Sequence, residues 1–175
     1  MHVILGIAVT GGLMLVASPS PAHVTIEPAR AEPESTLRAV LRVPHGCDSH
    51  ATTAIRVRIP EGMIAVKPMP KPGWKLEITT GKYERPYDYF GEELTEGVAE
   101  IGWSGGELPD EHYDEFVFRG RLTGFEPGTV LHFPVVQECT EGVHRWIEIP
   151  AAGQDPDELD EPVPEVTIIE AVASD

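Results

Sequence analysis

The chain has 175 residues, with 13 Lys and Arg against 29 Asp and Glu, a formal net charge of −16 and a pI near 4.7. That balance excludes recognition of nucleic acid through its phosphates, which needs a basic face, and it disfavours docking on an anionic lipid surface. Hydrophobic residues make up 41%, enough for a core, while 17 Gly and 17 Pro break up long helices and favour short strands joined by turns.

The first 22 residues stand apart. Residues 3–16 (VILGIAVTGGLMLV) form an apolar run without a charge, and Ser20 and Ala22 place small residues where a signal peptidase reads. This is the pattern of a cleavable secretory signal, and residues 1–22 are set aside from the fold. One feature departs from the pattern: the start carries no Lys or Arg, only the amino terminus and His2. No second apolar run of about 18 residues follows, so the mature chain is expected to begin at His23 and to carry no membrane helix.

The mature chain reads as many short strands. Residues 35–43 put Leu37, Ala39, Leu41 and Val43 on one face and Arg38 and Arg42 on the other. Residues 53–60 do the same with Ile55, Val57 and Ile59 against Arg56 and Arg58. In residues 115–122, Phe116, Phe118, Gly120 and Leu122 share one face, with Glu115, Val117, Arg119 and Arg121 on the other. Each is a period of two, the signature of a half-buried strand. Further strands are expected at 74–80, 98–103, 129–136, 143–149 and 163–170. Turn residues separate them at 60–62, 71–73, 105–106, 126–128 and 141–142. Residues 81–97 are polar, aromatic and acidic and read as a long loop, and residues 154–164 read as an acidic, Pro-rich connector. Seven to ten strands at this spacing predict an all-β, Ig-like antiparallel β-sandwich over 23–170, with a short tail at 171–175; a barrel is the alternative.

Two cysteines, Cys47 and Cys139, remain in an exported chain and read as one disulfide. Closing a loop of that length restricts the unfolded chain by about 4–5 kcal/mol. A thiolate metal site is the alternative, but the pair lacks a CxxC.

The residue freed by cleavage is a histidine. Its α-amine and imidazole Nδ1 can close a compact chelate on one metal, and paired nitrogen donors suit Cu(II). The amine titrates near pH 7.7–8, so it can yield its proton to a metal at neutral pH. An N-terminal histidine can equally be a frayed end. Other candidates carry ordinary readings. Glu115 can supply a carboxylate or pair with Arg119 or Arg121. Gln137 and Glu138 lie beside Cys139 and read as strand-end polarity. His112, His132 and His144 are scattered, and His45 and His50 flank Cys47 in a loop. Met63 reads as core and Met69 as surface, while Trp74, Trp103 and Trp146 read as sandwich core or rim. No HExxH, Walker loop or GxGxxG is present, and the GxSxG string at residues 102–106 (GWSGG) follows an expected strand without a helix after it, so it is not at a strand–helix junction and an enzymatic role is not expected.

Several segments carry a resemblance. Residues 22–26 (AHVTI) with Pro28, then 43–47 (VPHGC), 52–55 (TTAI), 59–62 (IPEG) and 70–74 (PKPGW) appear in order. They are followed by 103–106 (WSGG), 114–116 (DEF) with Phe118, 134–139 (PVVQEC) and 146–150 (WIEIP). Together they resemble the YcnI-like family of bacterial exported proteins across about residues 22–170. The resemblance implies an Ig-like sandwich that binds Cu(II) through a single-histidine brace at the residue after the signal. It implies His23 as ligand, a glutamate placed at Glu115 and a nearby tryptophan placed at Trp146, with Gln137 as the alternative polar partner. It also implies copper handling in the periplasm or outside the cell, beside a copper chaperone or a membrane copper transporter. Many relatives carry a C-terminal membrane helix; this sequence reaches Asp175 without one, so a soluble form is expected.

Three function classes follow: a non-enzymatic Cu(II) binder, a brace-type copper oxidase, and an Ig-like interaction module without metal. An oxidase needs a second histidine beside His23, from His112, His132 or His144. The interaction module predicts no polar surroundings for His23.

Overall fold

A computed structural model describes residues 23–171, apart from the side chain of Asp157. The expected signal segment 1–22 and most of the expected tail lie outside the described residues. Twelve strands and a single 3₁₀ turn at Pro156–Glu158 make up the regular structure among the described residues. The strands are β1 (Thr25–Glu27), β2 (Arg30–Ala31), β3 (Thr36–Val43), β4 (Thr52–Arg58), β5 (Met63–Pro68) and β6 (Lys75–Tyr89). They continue with β7 (Glu92–Leu108), β8 (Asp114–Leu122), β9 (Val130–His132), β10 (Val135–Cys139), β11 (Val143–Trp146) and β12 (Glu165–Ile168). None of this is helical enough to cross a membrane: no described helix is long and apolar enough to do so.

Two sheets form the sandwich. One runs β1-β3-β8-β5, the other β11-β10-β4-β7-β6. The period-two faces of β3, β4 and β8 meet between them. Leu41, Val43, Ile55, Val57, Phe116 and Phe118 are all essentially inaccessible to solvent. Trp103 and Met63 join them, and Met69 stays at the surface. Burying each such large side chain contributes roughly 1.5–3 kcal/mol, which sets the register firmly, because a one-residue slip would expose the whole set. A small third sheet, β2-β12-β9, closes one side of the fold; its β2–β12 pair is parallel, the exception to the antiparallel rule.

Three expectations need correction. Residues 81–97 are not a loop. β6 and β7 run on past the sandwich as a long hairpin, with Tyr87 opposite Leu94 and Tyr89 opposite Glu92. Tyr83 and Tyr87 stack edge to face at 5.2 Å, Arg85 lies over the Tyr87 ring at 5.0 Å, and the Tyr87 hydroxyl donates to Glu61 at 2.8 Å. The tyrosines therefore supply the packing face that aliphatic residues would otherwise mark. The hairpin turns at Phe90 (φ 54°) and Gly91 (φ 86°), the left-handed pair that a tight two-residue hairpin requires. Second, residues 129–136 are two strands in different sheets. Pro134 has no N–H for a ladder, and the Phe133 N–H bonds to Pro164 O at 2.8 Å while Pro134 O accepts from Arg58 N at 2.9 Å, so the chain changes sheets there. Third, β1, β2 and β5 were not foreseen; β1 and β2 are too short to show a period, and in β5 the register shift between Ile64 and Lys67 breaks it.

Cys47 and Cys139 are joined, with Cα atoms 6.0 Å apart and a sequence separation of 92. The bond ties the loop after β3 to the end of β10. Replacing both cysteines by serine is expected to lower the unfolding free energy by about 2–5 kcal/mol, measured by urea denaturation, with the strand content in circular dichroism unchanged.

Candidate functional site

His23 sits where the two sheets meet at one side of the sandwich. Val24 and Ile26 are buried in the core, while Thr25 and Glu27 face solvent, so β1 holds its short segment firmly against β3. β1 is the edge strand of its sheet and β11 the edge strand of the other. His23 bridges them. Its half-buried ring lies 5.7 Å from the ring of Trp146 on β11, with the planes 54° apart.

Trp146 is buried, and a buried indole N–H needs an acceptor. It donates to Gln137 Oε1 at 3.0 Å. Gln137 is 1% exposed, on the neighbouring β10. Its amide nitrogen donates to His45 O and to Thr52 Oγ1, each at 2.8 Å. Thr52 Oγ1 in turn lies 3.7 Å from Cys139 Sγ. One amide thus joins β11, β10, β4 and the disulfide loop. Both its N–H donors and its oxygen are engaged in the interior, which makes Gln137 the support of the indole rather than a free polar arm.

His144 shares the same indole. Its ring lies 5.1 Å from that of Trp146, and its Nδ1 is 2.7 Å from a Glu161 oxygen. The other Glu161 oxygen accepts from Arg145 N at 2.9 Å, so this carboxylate also covers part of the β11 edge. His132 lies 3.6 Å from Glu165 and His50 lies 3.7 Å from Glu141. His45 Nδ1 is 2.6 Å from Gly46 O and 3.9 Å from Asp110, and His112 is exposed before β8. His23 is the half-buried imidazole that makes no hydrogen bond or ion pair among the described residues.

Glu115 lies further off. In register it stands opposite Arg42, which stands opposite Thr25. At about 4.8 Å per strand, its Cα is roughly 10 Å from that of Thr25. Its carboxylate accepts a hydrogen bond from the Tyr113 hydroxyl, and that bond raises the pKa of Tyr113. No hydrogen bond joins it to His23. Neither expected arginine pairs with it: Arg121 pairs with Glu34 at 3.1 Å, and Arg119 makes no ion pair among the described residues. Glu138 instead pairs with Arg56 at 2.7 Å.

Among the described residues no group of three or more His, Cys, Asp or Glu is arranged to hold a metal. The site is therefore not a closed cage of side chains. What it offers is one imidazole without a competing partner, backed by a fixed indole; cleavage after Ala22 would add the α-amine of the same residue. That nitrogen pair fits Cu(II) in chemistry.

These features define an immunoglobulin-like, disulfide-pinned β-sandwich with an aromatic-backed histidine at its seam. Residues 23–168 match the domain of unknown function DUF1775, and the chain belongs to that family, the YcnI-like domain. No curated protein matches the chain. The fold is similar to a crystal structure of an uncharacterised protein from Nocardia farcinica, described as immunoglobulin-like. That likeness has a TM-score of 0.62 and 24% identity, covering 85% of this chain and 99% of that one.

Sequence reading singled out His23, Trp146 and Gln137, but not the connection through Thr52 and His45 O that holds them. The signal for Gln137 is its place in step with the apolar Val135; Thr52 is in step with Arg56 and Arg58 and turns inward only through the register shift between Thr52 and Ala54.

Gln137→Leu would leave the indole N–H, the Thr52 hydroxyl and a carbonyl without their partner. The expected loss is ~2–3 kcal/mol in urea denaturation, with altered tryptophan emission from the native state. Unchanged stability would show that the amide does not support the indole.

Proposed function

We propose that the mature protein is an exported, non-enzymatic Cu(II)-binding protein of copper handling, with the metal held by the α-amine and imidazole of His23. The observation that carries this reading is the half-buried His23 ring, packed on Trp146 and without a hydrogen-bonding partner among the described residues; an Ig-like interaction module predicts the same surroundings, and copper binding by the chain beginning at His23 separates the two. The family match also begins at His23. Export is supported by the Cys47–Cys139 disulfide, which persists in oxidising compartments such as the periplasm or the extracellular space.

Copper supplies a tetragonal acceptor for nitrogen donors. His23 provides two of them, the buried indole of Trp146 limits the ring's freedom and excludes water from one side, and Gln137 holds that indole in place. Glu115, whose carboxylate accepts from Tyr113, is the residue that would supply an oxygen donor on the family resemblance. His144 packs on the same indole as His23 and meets Glu161 through Nδ1 alone, the usual support of a metal-binding imidazole, so a two-histidine oxidase is the second reading; nitrogen couplings from two imidazoles would favour it. A copper chaperone or a membrane copper transporter is the expected exchange partner, on the family resemblance.

The test is Cu(II) binding by the chain beginning at His23, followed by electron paramagnetic resonance. An axial spectrum with nitrogen couplings is expected. His23→Ala should weaken binding by more than the roughly 100-fold that loss of an outer-shell partner costs, with the fold intact. One extra residue before His23 should weaken it similarly, because the amine becomes a peptide nitrogen. Unchanged affinity in both variants would sink the reading. Since the amine must lose a proton, affinity should fall by at least about tenfold per pH unit below roughly pH 7.7.

A further inference from the structure

The outer face of the β1-β3-β8-β5 sheet carries a row of like charges. Arg38 on β3 stands directly opposite Arg119 on β8, and Arg119 stands directly opposite Lys67 on β5. All three are exposed, and none makes an ion pair or hydrogen bond through its side chain among the described residues. Like charges placed opposite each other across strands destabilise a sheet. The chain carries 29 acidic residues, so carboxylates to neutralise the row are not scarce.

The backbone is bent to complete this row. Ile64 pairs with Arg121, yet Lys67, three residues on, pairs with Arg119, two residues back. The extra residue is a bulge, and within it Ala65 has φ 49°, a left-handed conformation that a residue with a Cβ adopts at a cost. Without the bulge, the apolar Val66 would stand opposite Arg119.

Beside the cations lies an apolar row. Val40 is opposite Val117, and Met69 N donates to Val117 O at 2.8 Å. Both valines are nearly buried, while Met69 is 51% exposed. Arg38, Lys67, Pro68, Met69, Val117 and Arg119 line a shallow recess of about 310 Å³ there.

We propose that this face docks an acidic segment of a partner protein, with carboxylates over Arg38, Arg119 and Lys67 and an apolar side chain over Val117 and Met69. Charge complementarity selects the partner. A free anion would need a pocket with buried polar groups, and the three cations are all exposed. An anionic membrane would repel the remaining, strongly acidic surface of the chain. The inference rests on charge and register and does not depend on copper binding.

The test uses a dye-labelled peptide of alternating glutamate and valine, followed by fluorescence anisotropy at low and physiological salt. Binding that weakens with salt is expected. Arg119→Glu with Lys67→Glu should weaken it about tenfold. Lys82→Glu with Arg145→Glu changes the net charge equally and should stay within about twofold. Absence of binding at low salt, or equal losses in both double variants, would overturn the proposal. So would equal or tighter capture of the protein by vesicles containing phosphatidylserine that the first double variant abolishes. Arg119→Gln gives a second readout: it should raise the melting temperature by ~1–3 °C while weakening the peptide. A lower melting temperature with peptide binding intact would assign the row to the fold alone and overturn the docking role.

Discussion

A buried amide must have its hydrogen bonds made inside the protein, and much of the candidate site depends on how Gln137 meets that requirement. Its side chain takes the Trp146 indole N–H and gives its own protons to Thr52 and to the carbonyl of His45. Removing any one partner leaves a polar group stranded in a dry interior, so the four groups hold each other in one arrangement. The disulfide lies next to this cluster and fixes the loop that supplies the carbonyl. The indole is thereby set at the seam of the two sheets, and the ring of His23 rests on it.

Charge is distributed in two ways over the sandwich. Among the described residues, six of the 13 Lys and Arg pair with a carboxylate, among them Arg42 with Glu27, Arg56 with Glu138 and Lys71 with Asp114. Such pairs at the surface add little stability individually, but they neutralise the face they cover. Arg38, Arg119 and Lys67 are outside these pairs and stand opposite one another across three strands, and a bulge completes the row. A feature that lowers the stability of the isolated molecule is what a binding surface requires, because its charges must be available to a partner.

The parts of the fold that were legible in the sequence are those where burial imposes a strict period. In β3, β4 and β8 each alternate residue is apolar because one face meets the opposite sheet, and the pattern survives in the chain as written. The long hairpin hid because its distal half lies beyond the sandwich. There the packing is tyrosine on tyrosine and arginine on tyrosine, and its turn begins with phenylalanine rather than asparagine or glycine. The split at Pro134 hid because an apolar run continues through it. Only the direction of the Phe133 and Pro134 backbone bonds separates the two strands.

The sequence by itself determined the all-β class, the inward faces of the long strands and the cysteine pair. Each follows from composition, period or position along the chain. Tertiary structure alone decided that His23 meets Trp146, that Gln137 braces the indole, that Glu115 stands two strands from Thr25 and that Arg38, Arg119 and Lys67 align. Those relations depend on strand order, register and a bulge, which bring together residues as far apart as 23 and 146. Local patterns report which face a residue takes, whereas the neighbour it finds on that face is set by pairing between distant segments.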